Sequence, residues 1–259
     1  MGSGTLAETS GLIDLHTHVL PGVDDGARTE DEALAMLAAA AQDGITTVLA
    51  TPHAHHAAAD RVREGVERLN LAATAAGINV SVLPGHEARI SVELVNRYRD
   101  GQLLTLNGTD WLLLECYLFD DWPIHLVERS VDRLIEAGLR PILAHAERYP
   151  FVQRDPSVLC SLIDRGIPIQ INAGSLFLRE SDSERTTAEH LLRSRSAHII
   201  ASDAHNARYR PPALRSAYER AAQLTSHDYT CWMQAVVRRV IAGEPVDLHE
   251  AGDSTRDHR

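Results

Sequence analysis

The chain has 259 residues, 44% of them hydrophobic, which is enough to bury one sizeable core within a single domain. Its formal net charge is −11 and all 25 basic residues are arginine, which argues against a general nucleic-acid or anionic-membrane surface but leaves room for a local arginine pocket. Cys116, Cys160 and Cys231 form neither a CxxC pair nor a secreted framework, and they read as reduced cytosolic thiols.

The first ten residues contain no basic segment followed by an apolar one, and no apolar run approaches about 18 residues, so no leader and no spanning helix is expected. The organising stretch is 12–27, LIDLHTHVLPGVDDGA. With 12–16 as a buried strand, the period of two puts His16 and His18 on one side of its carboxyl end. Pro21 and Gly22 then bend the chain, which returns Asp24 or Asp25 to the same opening.

Residues 30–42 read as a helix with acidic residues in its first turn, stopped by Gly44. A β-branched strand follows at 45–50. Helices are predicted at 61–75, 91–100, 124–137, 156–164 and 184–195. Strands are predicted at 80–83, 111–115, 142–144, 167–171 and 199–201. Beyond Arg210-Pro211-Pro212 the pattern is helical to residue 242, and 1–10 and about 246–259 read as flexible ends. Seven near-continuously apolar strands alternating with helices predict a parallel sheet covered by helices, close in number to a closed barrel. A doubly wound open sheet is the alternative.

Polar residues fall where each apolar run stops: His53, Glu87, Glu115, His145, then Asp203 with His205. In parallel α/β architectures the carboxyl ends of the strands share one face, where active sites lie. Together with His16, His18 and Asp25 these make nine nitrogen and oxygen donors. That is too many for one ion of four to six coordination, so two or three ions with bridging carboxylates are expected. No cysteine joins the set, which leaves manganese, iron or zinc.

The motifs DLHTHVLPGVDDGA, TPH, GHEARI, LLLE, LAHAERY, QINAGSL and SDAHN followed by ARYRPP resemble the bacterial PHP-superfamily protein-tyrosine phosphatases of capsular and exopolysaccharide synthesis. The resemblance runs from about residue 12 to 212 in order and approximate spacing. It implies a distorted (β/α)7 TIM-like barrel (the PHP fold) and a three-metal centre usually assigned manganese. Its ligands would be His16, His18, Asp25, His53, Glu87, Glu115, His145, Asp203 and His205, with Asp24 as the rival to Asp25. Arg148 matches the arginine that holds the substrate phosphate, and Arg210 a second one. The implied activity is hydrolysis of phosphotyrosine on a cytoplasmic protein partner, the tyrosine-rich tail of a bacterial tyrosine autokinase. A histidinol-phosphate phosphatase or another PHP phosphoesterase is the alternative.

Several positions depart from that pattern or stand beside it. Ala146 replaces the usual proline of HPER, and His86 stands where glutamine is common. In an extended chain His86 points away from Glu87 and is expected to pack. Cys116 reads as an inert buried thiol, His55 and His56 as exposed loop residues, and Asp14 as the partner of a ligating histidine. A cysteine phosphatase is excluded, because the sixth residue after each cysteine is Trp122, Gly166 or Val237 rather than arginine. A binuclear amidohydrolase bridged by carbamylated lysine is excluded by the absence of lysine.

Overall fold

Alternating burial on two faces decides how the strands are used. In the computed structural model, which describes residues 11–117, 122–177 and 181–249, the strands are short and most are buried throughout their carboxyl halves. They are β1 (Leu12–Thr17), β2 (Ile45–Ala50), β3 (Ser81–Pro84), β4 (Glu87–Arg89), β5 (Trp111–Glu115), β6 (Arg140–Leu143), β7 (Gln170–Asn172) and β8 (Ile199–Ala201). Leu112, Leu114, Leu143 and Ile200 pack into the larger core with the helices. Their neighbours Trp111, Leu113, Ile142, Ile199 and Ala201 join Ile13, Leu15 and Leu49 in a second, smaller core. Each such side chain contributes roughly 1.5–3 kcal/mol on burial, so a strand with apolar residues on both faces has no solvent-facing solution.

Among the described residues every strand pairing is parallel, in three sheets ordered β1-β2-β3, β4-β5-β6 and β7-β8. The chain is therefore an α/β protein, but the seven predicted strands become eight and do not form one continuous ladder. The predicted third strand stops at Pro84, and Gly85 and His86 separate it from β4. Three isolated parallel bridges span the gaps, Thr17 with Ala204, His53 with Glu87, and Leu143 with Ile169.

Helices fill the connections: α1 (Glu30–Asp43), α2 (Ala59–Ala75), α3 (Leu94–Arg99), α4 (Ile124–Glu136), α5 (Pro150–Arg154), α6 (Cys160–Ile163), α7 (Asp182–Arg193), α8 (Arg215–Leu224) and α9 (His227–Ala242). Local chemistry sets their ends. Thr29 accepts the Glu32 N–H to start α1, and Gly44 stops it at φ 87°, a conformation glycine adopts at little cost. Ser181 and Glu184 form a reciprocal capping box on α7.

Elsewhere the sequence overestimates helix length. The 91–100 helix shrinks to α3, and 156–164 becomes a 3-10 turn followed by α6. The long helix beyond Pro212 breaks into α8 and α9, because the Ser226 hydroxyl caps a new start by accepting the Tyr229 N–H. Val236, Val237 and Val240 of α9 close the smaller core, and Leu248 is still buried. Residues 1–10 and 250–259, where flexibility is predicted, lie outside the described residues.

Candidate metal centre

The carboxyl end of β1 supplies the first two imidazoles. A register irregularity between Asp14 and Thr17 inserts one extra residue, the kind of bulge that re-aims side chains. His16 and His18 end with their Nε2 atoms 3.3 Å apart, both side chains fully buried. The DDGA turn then folds back: the Ala27 N–H donates to the His18 carbonyl, 3.0 Å. Position 26 tolerates only glycine, because a Cβ there would run into the His18 backbone and Cβ. The turn separates the two aspartates. Asp24 is turned inward, where Oδ2 accepts from His18 Nδ1 at 2.7 Å and from the His53 N–H at 3.1 Å. Asp25 stands at the mouth with Oδ1 3.4 Å from His205 Nε2, 3.6 Å from His53 Nε2 and 3.9 Å from His18 Nδ1.

Glu87, first residue of β4, is the hub. Its carboxylate oxygens lie 2.7 Å from His145 Nε2, 2.9 Å from His53 Nδ1, 3.4 Å from His16 Nε2 and 3.5 Å from His18 Nε2. Glu115, the last residue of β5, has Oε1 3.3 Å from His53 Nδ1, and the same oxygen accepts from Arg89 Nε at 2.9 Å. His145 and Asp203 follow β6 and β8 in left-handed backbone conformations, at φ 31° and 51°. Non-glycine residues rarely adopt that region, and such strain concentrates where side-chain aim matters.

Asp203 divides the centre in two. Oδ1 lies 3.4 Å from His18 Nε2, 3.5 Å from His16 Nε2 and 3.6 Å from His205 Nδ1. Oδ2 accepts from Arg210 Nη2 at 2.6 Å, Asn172 Nδ2 at 2.8 Å and Arg148 Nη1 at 3.4 Å. The structure thus brings all nine predicted donors and both predicted arginines to one place. Arg148 also lies 3.8 Å from Glu184, whereas Glu147 turns inward and accepts from Asn172 N–H and the Ser175 hydroxyl.

The outer partners differ from the sequence reading. His16 Nδ1 is met by Gln170 Oε1 at 3.1 Å, whereas Asp14 accepts from the Ser202 N–H and only distantly from the His16 backbone, at 3.0 and 3.4 Å. Asp14 ties β1 to β8 and does not orient the ring. Gln170, Asn172 and Arg89 were missed. Gln170 and Asn172 are polar at i and i+2 in an otherwise apolar strand, a period-two signal that could have marked them. His86 packs as expected, accepting the Leu104 N–H at 3.0 Å. Cys116 is buried, and burial together with the nearby Glu115 charge pushes its thiol pKa up. His55 and His56 are exposed, although a nitrogen of His55 comes within 4.8 Å of donors on His53 and Glu115.

The electrostatics are those of a cluster in which buried imidazoles and carboxylates hold one another's charges. Burial opposes charge on His18, yet hydrogen bonds with Asp203, Asp24 and Glu87 raise its pKa well above the usual imidazole range. Against the same penalty, Glu115 and Glu87 raise His53 to about 10. Despite burial, Glu87 is held far below a normal carboxylate by the charge of His16 and its hydrogen bond with His145. Asp24 falls to about 2 through His18, again against burial. Glu87 Oε2, His53 Nδ1 and His145 Nδ1 are buried without a hydrogen-bond partner, so the short His53–Glu87 approach is misaligned for one. Two imidazole nitrogens facing each other between two carboxylates suit a divalent ion, and four overlapping donor triads here share His16, His18, Glu87 and His145.

The family model for capsular polysaccharide synthesis, CpsB/CapC, matches residues 12–236, the span that carries every one of these groups. The chain belongs to the CpsB/CapC family. Tyrosine-protein phosphatase YwqE of Bacillus subtilis is 35% identical over 203 residues, 77% of this chain and 79% of YwqE. Tyrosine-protein phosphatase CpsB of Streptococcus pneumoniae is 24% identical over 221 residues, 82% of this chain and 90% of CpsB. A crystal structure from the set described as YwqE and CpsB, "unique metal-dependent tyrosine phosphatases", superposes with a TM-score of 0.86. That pair is 30% identical over 91% of this chain and 96% of the other.

Proposed function

We propose that this CpsB/CapC protein is a metal-dependent phosphomonoesterase that hydrolyses phosphotyrosine on proteins. The observation that carries the reading is Asp203. One of its oxygens faces the histidine cluster and the other is held by two arginines, which supports a cation site and a phosphoryl site sharing this carboxylate. His16, His18, Asp25, His53, Glu87, Glu115, His145, Asp203 and His205 would hold two or three divalent ions. Manganese is our choice, with iron or zinc as alternatives of similar ligand preference. Asp25 is the ligand rather than Asp24, whose oxygens already accept from His18, Gly26 and His53.

The two-sided burial of the strands and the three bridges between the sheets favour a distorted (β/α)7 barrel of one domain, with β3 and β4 as one interrupted stave. We place the protein in the cytoplasm, acting on the tyrosine-rich tail of a tyrosine kinase of capsule synthesis. Among the described residues no helix is long and apolar enough to cross a membrane.

Divalent ions in this site supply Lewis acidity and lower the pKa of water within their reach, from about 15.7 to roughly 7 in favourable sites. The chain supplies the rest. Arg148 and Arg210 lie on Asp203 Oδ2 and are positioned to transfer to the non-bridging oxygens of an entering phosphoryl group, for which the planar guanidinium fork is suited. Gln170 and Asp24 fix the rings of His16 and His18 from behind, holding their Nε2 atoms toward the centre. The phenol of the leaving tyrosine has a pKa of about 10 and departs with less acid assistance than an alkoxide. Glu87→Gln tests the reading: metal content and phosphotyrosine hydrolysis should fall together. Retention of a full metal complement and of turnover would remove Glu87 from the centre and end the proposal.

A further inference from the structure

Beside the arginine half of the centre lies a cavity of about 340 Å³, at the lower end of the range for small-molecule sites. Asn172 and Arg210 line it, and they are two of the donors on Asp203 Oδ2. Ala173, Phe177, Pro211 and Ala213 give it apolar surface, and Ser202, Tyr209 and Ser216 also line it. We infer that this cavity seats the phenyl ring of the substrate phosphotyrosine. This assignment rests on the phosphatase reading and adds the group that the site prefers.

The covalent structure of the substrate supplies the first argument. A phosphoryl group taken by Arg210 sits beside the cavity, and its ester oxygen carries the ring directly, which brings the ring within reach of this space. The lining supplies the second. Among the described residues that line the cavity Arg210 is the one charged side chain, and the apolar surface beside it suits an aromatic ring better than a second anion. Phe177 and Pro211 offer flat surfaces, and a buried ring gains from the whole of its apolar area. A phosphoserine has no group that reaches beyond Arg210 into this space. The cavity therefore discriminates aryl from alkyl phosphomonoesters without touching the reacting atoms.

Two non-hydrolysable probes isolate this contribution: inhibition of the metal-loaded enzyme by phenylphosphonate and by methylphosphonate, which share the anionic head and differ in the ring. Wild-type protein should bind phenylphosphonate at least about tenfold more tightly. Ala213→Leu, which fills the cavity, should abolish that preference and raise KM for a phosphotyrosine peptide by a similar factor. Metal content and inhibition by inorganic phosphate should stay unchanged. Phe177→Ala, which removes a wall and fills nothing, should reduce the preference several-fold and serves if the first variant folds poorly. Wild-type selectivity retained in both folded, metallated variants would overturn the ring assignment and leave the phosphatase reading standing. A wild-type protein that carries its metals but cleaves no phosphomonoester would overturn both.

Discussion

Metal uptake by this centre should be proton-linked, and the structure sets the size of the effect. Glu115 and Glu87 outweigh burial and hold His53 at about 10. Ligation requires the neutral ring. At pH 7.5 that proton must leave from a group well above the solution pH, a cost of roughly 3 kcal/mol, on the order of 10² to 10³ in apparent affinity. The sign is fixed: a cation and a proton compete for the same nitrogen, so affinity rises with pH by about tenfold per unit between about 7 and 9 and levels off near 10. His18, also raised well above its usual range, steepens the slope further. Titration calorimetry of Mn2+ into chelator-treated protein, in buffers of differing ionisation enthalpy, counts the released protons. About one or more is expected near pH 7.5, and His53→Asn should lower the count by about one. Affinity independent of pH from 7 to 9, with no buffer dependence of the heat, would refute the reasoning.

Arg148→Ala should lower kcat by about 10² to 10³ while leaving metal content unchanged, and Arg148→Lys should restore only part, because an ammonium lacks the bidentate fork; kinetics and metal analysis on one preparation check both. Replacing Cys116, Cys160 and Cys231 together with serine or alanine should preserve turnover, whereas exhaustive chelation should abolish it. Loss of activity on thiol alkylation alone would reverse that assignment. Buried His198, whose Nδ1 accepts the Ile169 N–H, is depressed to about 3 by burial and by His249. The unfolded chain takes up this proton near 6.5 and the folded one does not. The stabilisation is therefore full above about 6.5 and is lost as pH falls toward 3, by roughly 2 kcal/mol at pH 5. His198→Asn keeps an acceptor for Ile169, and denaturant unfolding at pH 5 and 7.5 should show that component of the pH dependence gone.

The donors of the centre were legible because each sits where an apolar run ends, and parallel strands bring such ends together whatever the sheet's continuity. Strand periodicity reports burial and direction; it does not report ladder hydrogen bonding, so the breaks at Gly85 and around β7 left no mark in the pattern. Helix ends failed for a local reason. A capping hydroxyl such as Ser226 outweighs a continuous helical pattern on either side of it. The outer partners were harder still. Arg89 lies only two residues beyond Glu87 in sequence, yet its guanidinium serves Glu115, 26 residues away, and stacks over Tyr117 at 4.6 Å. Nothing in a linear pattern ties an arginine to a carboxylate on the neighbouring strand.

The spacing of Asp203 and Arg210 has a physical cause in the turn between them. The Asn206 side-chain oxygen accepts the N–H groups of Arg208, Tyr209 and Arg210, and the His205 N–H donates to the Arg210 carbonyl at 3.0 Å. The chain reverses on that one amide. His205 is thereby held against the histidine cluster, while Arg210 is carried back to the opposite oxygen of Asp203. Pro211 and Pro212 then fix the exit, and the Asp43 carboxylate receives the Leu214 and Arg215 N–H groups where α8 begins. In a loop so closed, a ligand and a phosphate-side arginine cannot move independently. A change at Asn206, which touches neither metal donors nor phosphoryl oxygens, would disturb both halves of the centre at once.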